Sequence, residues 1–322
     1  MNFTFLLTAY EPPGPVNNGV FVLTFILFCL TIFLNLVLVF VIYVDSNLHK
    51  PMYILLFNLA VNGLVGCTSV CPKVMENLIK VVPDITHEGC LLQVFFINVH
   101  AASAYAILTA MAYDRYVSIC KPLQYYSIMT PFKVKLLLVI VNLIPIILLA
   151  IQVFITSSLP LCGYIINKLF CDNLAIVNLS CVRSAVSNLY GIVIISILVV
   201  LPLVLVVLSY IRILIVCLKA SKDSQKKAFS TCAPHLITFI NFSTASLFSV
   251  IYNRYSVVSR EVNIISSAAF ILFPPLLNPF IYGIRTKEIK TAIRKILRGR
   301  VSAWSNEIAN LKSKPVMVLN IT

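Results

Sequence analysis

Met111-Ala112-Tyr113-Asp114-Arg115-Tyr116-Val117-Ser118-Ile119-Cys120 sets an acid and an arginine at the foot of an apolar stretch that runs down from about Cys90. A charge isolated in lipid is costly, so intramembrane charges are paired or functional, whereas at a helix end they reach interfacial water. The pair therefore marks a membrane–water boundary and points to a contact surface there. A lone arginine at such a place has a simpler use, snorkelling to the lipid headgroups, and the rest of the chain has to decide between the two.

The chain has 322 residues, of which 60% are hydrophobic and 11% charged. Soluble domains carry about 25% charged residues, so a soluble protein is excluded. Apolar runs recur at Val20 to Val44, Met52 to Leu78, Cys90 to Cys120, Lys135 to Thr156, Ser187 to Cys217, Ala228 to Ile251 and Val262 to Ile284. Runs of about 20 residues cross roughly 30 Å of hydrocarbon as helices. Barrel strands would show period-two alternation, which these runs lack, and backbone amides in lipid have no other way to be satisfied. The expectation is an all-α membrane protein, a seven-transmembrane helix bundle. Its divisions are a tail over residues 1–19, the bundle over 20–284, and a short amphipathic helix and tail over 285–322. Pro145, Pro202, Pro274, Pro275 and Pro279 fall inside spans, where each removes a donor and favours a kink.

Lysine and arginine placement orients the bundle. Residues before Val20 contain neither, so the amino terminus is expected outside the cell and the carboxyl terminus in the cytoplasm. On that assignment the inner side holds Lys50, Arg115, Lys121, Lys133, Lys135, Arg212, Lys219, Lys222, Lys226, Lys227 and the bases from Arg285 to Lys314. Only Lys73, Lys80, Lys168, Arg183, Arg254 and Arg260 remain outside, which satisfies the positive-inside rule. The net charge of +14 is then mostly a cytoplasmic rim facing anionic membrane lipid, and nucleic-acid binding is not needed to explain it. No basic start precedes the first span, so that span is expected to act as its own signal anchor.

Ten cysteines divide by compartment. Cys90 opens the third span on the outer side, and Cys162, Cys171 and Cys181 lie in the loop between spans four and five. Four outer cysteines allow two disulfides in three pairings, which spacing leaves open. Cys29, Cys67, Cys217 and Cys232 suit free thiols, in spans or at the reducing face. Glycosylation sequons stand at Asn2-Phe3-Thr4 and Asn178-Leu179-Ser180 on the outer side. Those at Asn241 and Asn320 are out of reach of the machinery.

Three further blocks agree with the first. Pro51-Met52-Tyr53 opens the second span, Lys227-Ala228-Phe229-Ser230-Thr231-Cys232-Ala233-Pro234-His235-Leu236 opens the sixth, and Pro275-Leu276-Leu277-Asn278-Pro279-Phe280-Ile281-Tyr282 ends the seventh. With the ten-residue run around Asp114-Arg115-Tyr116, these resemble the olfactory (odorant) receptors of the rhodopsin-like G-protein-coupled receptors, in order from about Met52 to Lys290. The resemblance implies disulfides Cys90 to Cys171 and Cys162 to Cys181. It also implies coupling and switch roles for Asp114, Arg115, Tyr116, His235, Asn278, Pro279 and Tyr282. Physically, Pro279 frees a backbone carbonyl that Asn278 or water can satisfy. Beyond Ile284, the spacing of Ile289, Ile293, Ile296 and Leu297 places them on one helical face with bases opposite, which fits a helix lying on the inner leaflet.

Departures from the family pattern matter equally. Aligned from Pro51-Met52-Tyr53 and from Arg115, the positions of the usual helix-two aspartate and helix-three glutamate are Gly63 and Ala104, so no bound sodium is expected. The Asn62-Gly63 pair resembles the fish branch of the family. Phe242-Ser243-Thr244 replaces the frequent Phe-Tyr-Gly.

A kinked bundle leaves room for a ligand cavity, mostly apolar with a few polar groups. Counting up from Arg115, the inward face of the third helix contains Ile97, Asn98, Ala101, Ala102 and Tyr105. Ile194 and Leu198 on the fifth, Ser246, Leu247 and Val250 on the sixth and Ile271 on the seventh are expected opposite. Amine receptors carry an aspartate where this chain has Ile97, so a small, mainly neutral odorant is expected. The resemblance implies a heterotrimeric G protein of the stimulatory olfactory type and rising cyclic AMP. The rival readings are a non-olfactory rhodopsin-like receptor and a channel or transporter, the latter weakened by the lack of mid-span acids and of an inverted repeat. No paired acid and base and no metal-spaced cluster points to an enzyme or a cofactor, and His100 and His235 stand alone.

Overall fold

The computed structural model describes residues 3–252 and 270–298. Asn2, the side chain of Val250 and the start of the seventh span at Val262 lie outside the described residues. In chain order the elements are strand β1 (Thr4–Leu7), α1 (Pro15–Val44), α2 (Pro51–Ile79), strand β2 (Asp84–Thr86), α3 (His87–Cys120), α4 (Pro131–Ser157), strand β3 (Ile165–Ile166), α5 (Ala185–Leu218), α6 (Lys222–Tyr252) and α7 (Phe273–Arg285). A last helix, α8, covers 287–298.

The helix starts follow from local chemistry. Pro15, Pro51 and Pro131 occupy first-turn positions, where a missing N–H costs nothing. Thr86 and Thr130 cap their helices by accepting from the backbone N–H of Gly89 at 3.1 Å and Lys133 at 3.3 Å. Among the described residues, α1 to α5 are long and apolar enough to cross a membrane. With α6 and α7 they make a seven-helix bundle. The helix α6 begins at Lys222, six residues before the expected span at Ala228, because a polar, basic turn extends the helix beyond its apolar part.

Prolines act differently from place to place. Pro72, Pro145, Pro202, Pro234 and Pro279 sit within helices, whereas Pro274 and Pro275 fall in the first turn of α7, just after a turn at Leu272 that parts it from the helical residues 270–271. Five residues before Leu201, Ser196–Val200, wind as a π-helical segment next to Pro202.

The core has a large central part and three smaller ones. The central part joins Leu38 of α1, Leu55 and Leu59 of α2, Leu108 and Met111 of α3, Phe242 of α6 and Tyr282 of α7. Ile289 and Ala292 of α8 are 0% and 1% exposed and belong to it. Ile293 and Ile296 pack against it, while Leu297 stays 58% exposed, so the expected apolar face of α8 is completed by Ala292 rather than Leu297. On their outer surfaces the helices present apolar side chains such as Leu23, Phe25 and Phe33 of α1, as contact with lipid requires.

One end of the bundle carries a small sheet that the helical reading did not include. Its order is β2-β1-β3, with the amino-terminal strand in the middle. Phe5 stands opposite Ile85 in the antiparallel pair, and Leu6 opposite Ile165 in the parallel one. Phe5 and Leu7 are buried and fill the core at this end. The Tyr10 hydroxyl donates to Leu169 O at 2.6 Å, and burial raises its phenol pKa. Beside β2, Lys80 lies 2.5 Å from Glu76 and 2.9 Å from Asp84, and these contacts push its ammonium pKa up.

Candidate functional site

At the foot of α3 the Asp114 carboxylate is fully buried and doubly held. Arg115 Nη2 donates to Oδ2 at 2.7 Å, and the Tyr125 hydroxyl donates to Oδ1 at 2.7 Å. Tyr125 lies in a helical turn, Tyr125–Ile128, between α3 and α4. Its burial and the neighbouring Asp114 charge raise its pKa, so it remains a donor. Arg115 Nε makes no hydrogen bond, which leaves part of the guanidinium uncommitted. Tyr116 is half-buried and packs against the cluster of Val117, Met129 and Val134. A guanidinium held by one carboxylate beside an aromatic rim, at one end of a membrane helix, can exchange that partner for acceptors on another protein.

Deeper in the bundle His235 of α6 ties three helices together. Its Nε2 is 2.8 Å from Leu108 O, so this nitrogen carries the proton. That leaves Nδ1 to accept from the Tyr210 hydroxyl of α5. The rings stack with centroids 5.7 Å apart. The sequence singled out His235; it gave no sign of Tyr210.

In α7, Pro279 has no N–H for the carbonyl four residues back, that of Pro275. The freed oxygen is taken by Asn35 of α1, whose Nδ2 donates to it at 2.9 Å and to Thr31 O at 2.8 Å. Asn35, rather than the neighbouring Asn278, is the side chain that takes this oxygen. Asn278 is 6% exposed with Oδ1 unbonded, and Tyr282 is fully buried. Gly63 and Ala104 are both buried; a Cβ on Gly63 would stand 3.1 Å from Pro275 Cβ.

His100, alone in the sequence, has a partner in the fold. It pairs reciprocally with Asn62: its Nδ1 is 3.0 Å from Asn62 O, and Asn62 Nδ2 donates to His100 O at 2.9 Å. The ring lies directly on Gly66, where a Cβ would come within 2.5 Å of it. No sequence pattern signals this fit, since it depends on two helices meeting at one register.

The residues expected around a ligand separate into groups. Tyr105 is buried, hydrogen-bonds Ser246 across α3 and α6, and meets the Phe242 ring edge-on at 4.9 Å. Ala102, Ile194 and Leu198 share a cluster with Val99 and Leu149. Ile97 and Ile271 pack together in the core near the sheet. Asn98 and Ala101 are half-buried. Leu247 is 43% exposed and joins no buried cluster; about 100° of helix rotation turns it away from its neighbour Ser246. A recess of about 50 Å3 opens between α1, α2 and the stretch before α7, and of the expected lining residues it includes only Ile271.

Disulfides close the same end. Cys90 bonds Cys171 and Cys162 bonds Cys181, with Cα separations of 5.4 and 5.1 Å. Gln93 of α3 accepts from Cys171 N at 2.9 Å, so the loop is fixed to α3 twice. Asn178 is exposed at the end of the loop helix Asn173–Asn178.

Comparison with known proteins places this architecture. The family model described as olfactory receptor matches residues 23–300. Olfactory receptor 52K2 of Homo sapiens is 36% identical over 262 residues, 80% of this chain and 83% of that protein. Olfactory receptor 1 of Rattus norvegicus is 35% identical over 297 residues, 91% of this chain and 93% of that one. Olfactory receptor 10J5 of Mus musculus is 33% identical over 298 residues, 91% and 96% respectively. The family model covers the helix bundle from α1 to α8 and each of these relatives matches most of the chain, so the chain belongs to the olfactory receptor family.

Proposed function

We propose that the protein binds a small, mainly neutral odorant among α3, α5 and α6 and activates a stimulatory olfactory-type G protein, raising cyclic AMP. The observation that carries the ligand class is the apolar cluster of Ala102, Ile194 and Leu198 beside the neutral Tyr105–Ser246 pair. A charged ligand would lose its hydration there without a counter-ion. The amino terminus is assigned to the outside and residues 285–322 to the cytoplasm. Two disulfides at the amino-terminal end support that orientation, because such bonds persist in oxidising compartments.

Ligand acts by population shift, through different affinity for two arrangements of the bundle. In the resting arrangement Asp114 holds Arg115, and His235 holds α6 against α3 and α5. In the active one α6 swings away and Arg115 meets the G protein. The test is a panel of neutral odorants on cells reporting cyclic AMP. An active ligand should lose its response in Arg115→Ala while surface protein persists. Normal signalling by a well-expressed Arg115→Ala receptor would overturn the coupling role.

A further inference from the structure

The recess between α1, α2 and the stretch before α7 is separate from the α3, α5 and α6 surfaces assigned to the odorant. Val20 of α1, Val74 and Leu78 of α2 and Ile271 form its walls, and Leu169 and Phe170 of the loop form its roof. Among the described residues its polar lining consists of the Thr24 hydroxyl and the Cys71 thiol, with no charged side chain. Ions are therefore excluded, and the occupant is neutral.

Size decides the shape of that occupant. At about 50 Å3 the recess has roughly a third of the 150 Å3 of an apolar cavity that takes benzene. A ring is too large, whereas the end of an unbranched alkyl chain fits. Depth decides its source. Leu78 lies one residue from the end of α2, and Val70, also in the lining, is eight residues deeper, about 12 Å along the helix. The recess thus runs inward from the membrane boundary. Lipid acyl chains end near the bilayer centre, so their ends are at the wrong level. A short single-chain molecule can keep its polar head at the boundary and its tail in the recess.

The roof is already fixed. Phe170 precedes Cys171, which is bonded to Cys90, and Leu169 O accepts from Tyr10. Binding consequently orders no loop and avoids that entropic cost. We propose that this recess is a second ligand site, for the unbranched alkyl end of a short, neutral, freely diffusing aliphatic molecule.

Thiol labelling tests the proposal without reference to signalling. Receptor carrying Val74→Cys, in discs of a straight-chain phosphatidylcholine, is treated with N-ethylmaleimide, and modification at positions 71 and 74 is followed by peptide mass spectrometry. With 1-octanol present, labelling at position 74 should slow at least fivefold. Cyclohexanol at equal membrane concentration should leave it unchanged, and Cys120, at the opposite end of the bundle, should respond to neither. Adding Val70→Phe, which fills the recess, should abolish the octanol effect. The proposal is overturned if both alcohols slow labelling equally, if protection survives Val70→Phe, or if neither position reacts in the free receptor. It is also overturned if labelling responds only when branched-chain lipid replaces straight-chain lipid, because the occupant is then an acyl chain.

Discussion

The hydroxyls of Tyr105 on α3 and Ser246 on α6 meet in a buried hydrogen bond, with the Phe242 ring edge-on against the tyrosine. Ser246 also donates to Ser243 O at 3.1 Å, within its own helix. The link therefore fastens α6 to α3 at the proposed odorant surface itself.

Tyr105→Phe removes this fastening, including the hydroxyl's contact with Ser243, while Ser246 keeps Ser243 O as a partner. A buried hydrogen bond contributes about 1 kcal/mol net, so the active-to-resting ratio should rise about fivefold. Ligand-independent cyclic AMP, normalised to surface protein, should increase accordingly. Unchanged basal signalling would show that the bond persists in both arrangements.

Gly66→Ala should destabilise the bundle. Alanine gains up to about 1 kcal/mol of helix propensity over glycine, but its Cβ would lie 2.5 Å from the His100 ring, which Asn62 holds in place. Overpacking of this kind costs about 1–3 kcal/mol, so the clash wins. Thermal unfolding of detergent-solubilised protein should show the loss, and adding His100→Ala should recover much of it. Gly191→Ala, with nothing within 4 Å of the new Cβ, is the control.

The two disulfides should differ in their effect. The Cys90–Cys171 bridge closes 81 residues and the Cys162–Cys181 bridge 19. On the loop-entropy account, losing the longer closure costs roughly 1 kcal/mol more, out of about 2–4 for a typical bridge. Surface expression of Cys90→Ser should fall below that of Cys162→Ser. The reverse order would assign the dominant role to the local loop.

Agonist affinity should be indifferent to sodium. Gly63 and Ala104 offer no carboxylate, and Pro275 closes on Gly63. A bare cation there would lose hydration that carbonyls and hydroxyls only partly replace. Exchanging sodium for a large organic cation at constant ionic strength should leave the dissociation constant unchanged. A tenfold sodium-specific shift would reveal another ion site.

The spans were legible because lipid demands long apolar runs, and the ends of α1 to α5 fall within a few residues of those runs. The start of α6 at Lys222 was hidden because its first turns are basic and amphipathic. Motif residues such as Asp114 and His235 were visible, but Tyr125, Tyr210 and Asn35 were not. Each of these is a partner supplied by a different helix or loop, so its identity depends on packing rather than on spacing. The facing groups of the ligand surface were read from helical periodicity alone, which resolves a face to about 100° and so admitted Leu247.

The placement of β1 between β2 and β3 sets an order of events during synthesis. Thr4–Leu7 leaves the ribosome first, yet β3 follows about 160 residues later, which is roughly 8 to 30 s at ordinary elongation rates. Cys171, the partner of Cys90, comes just after β3. Sheet and bridge therefore both wait for the same short stretch of chain. Until it emerges, the first-made strand has an unpaired edge and Cys90 a free thiol, features by which a nascent receptor stalled before that loop differs from a finished one.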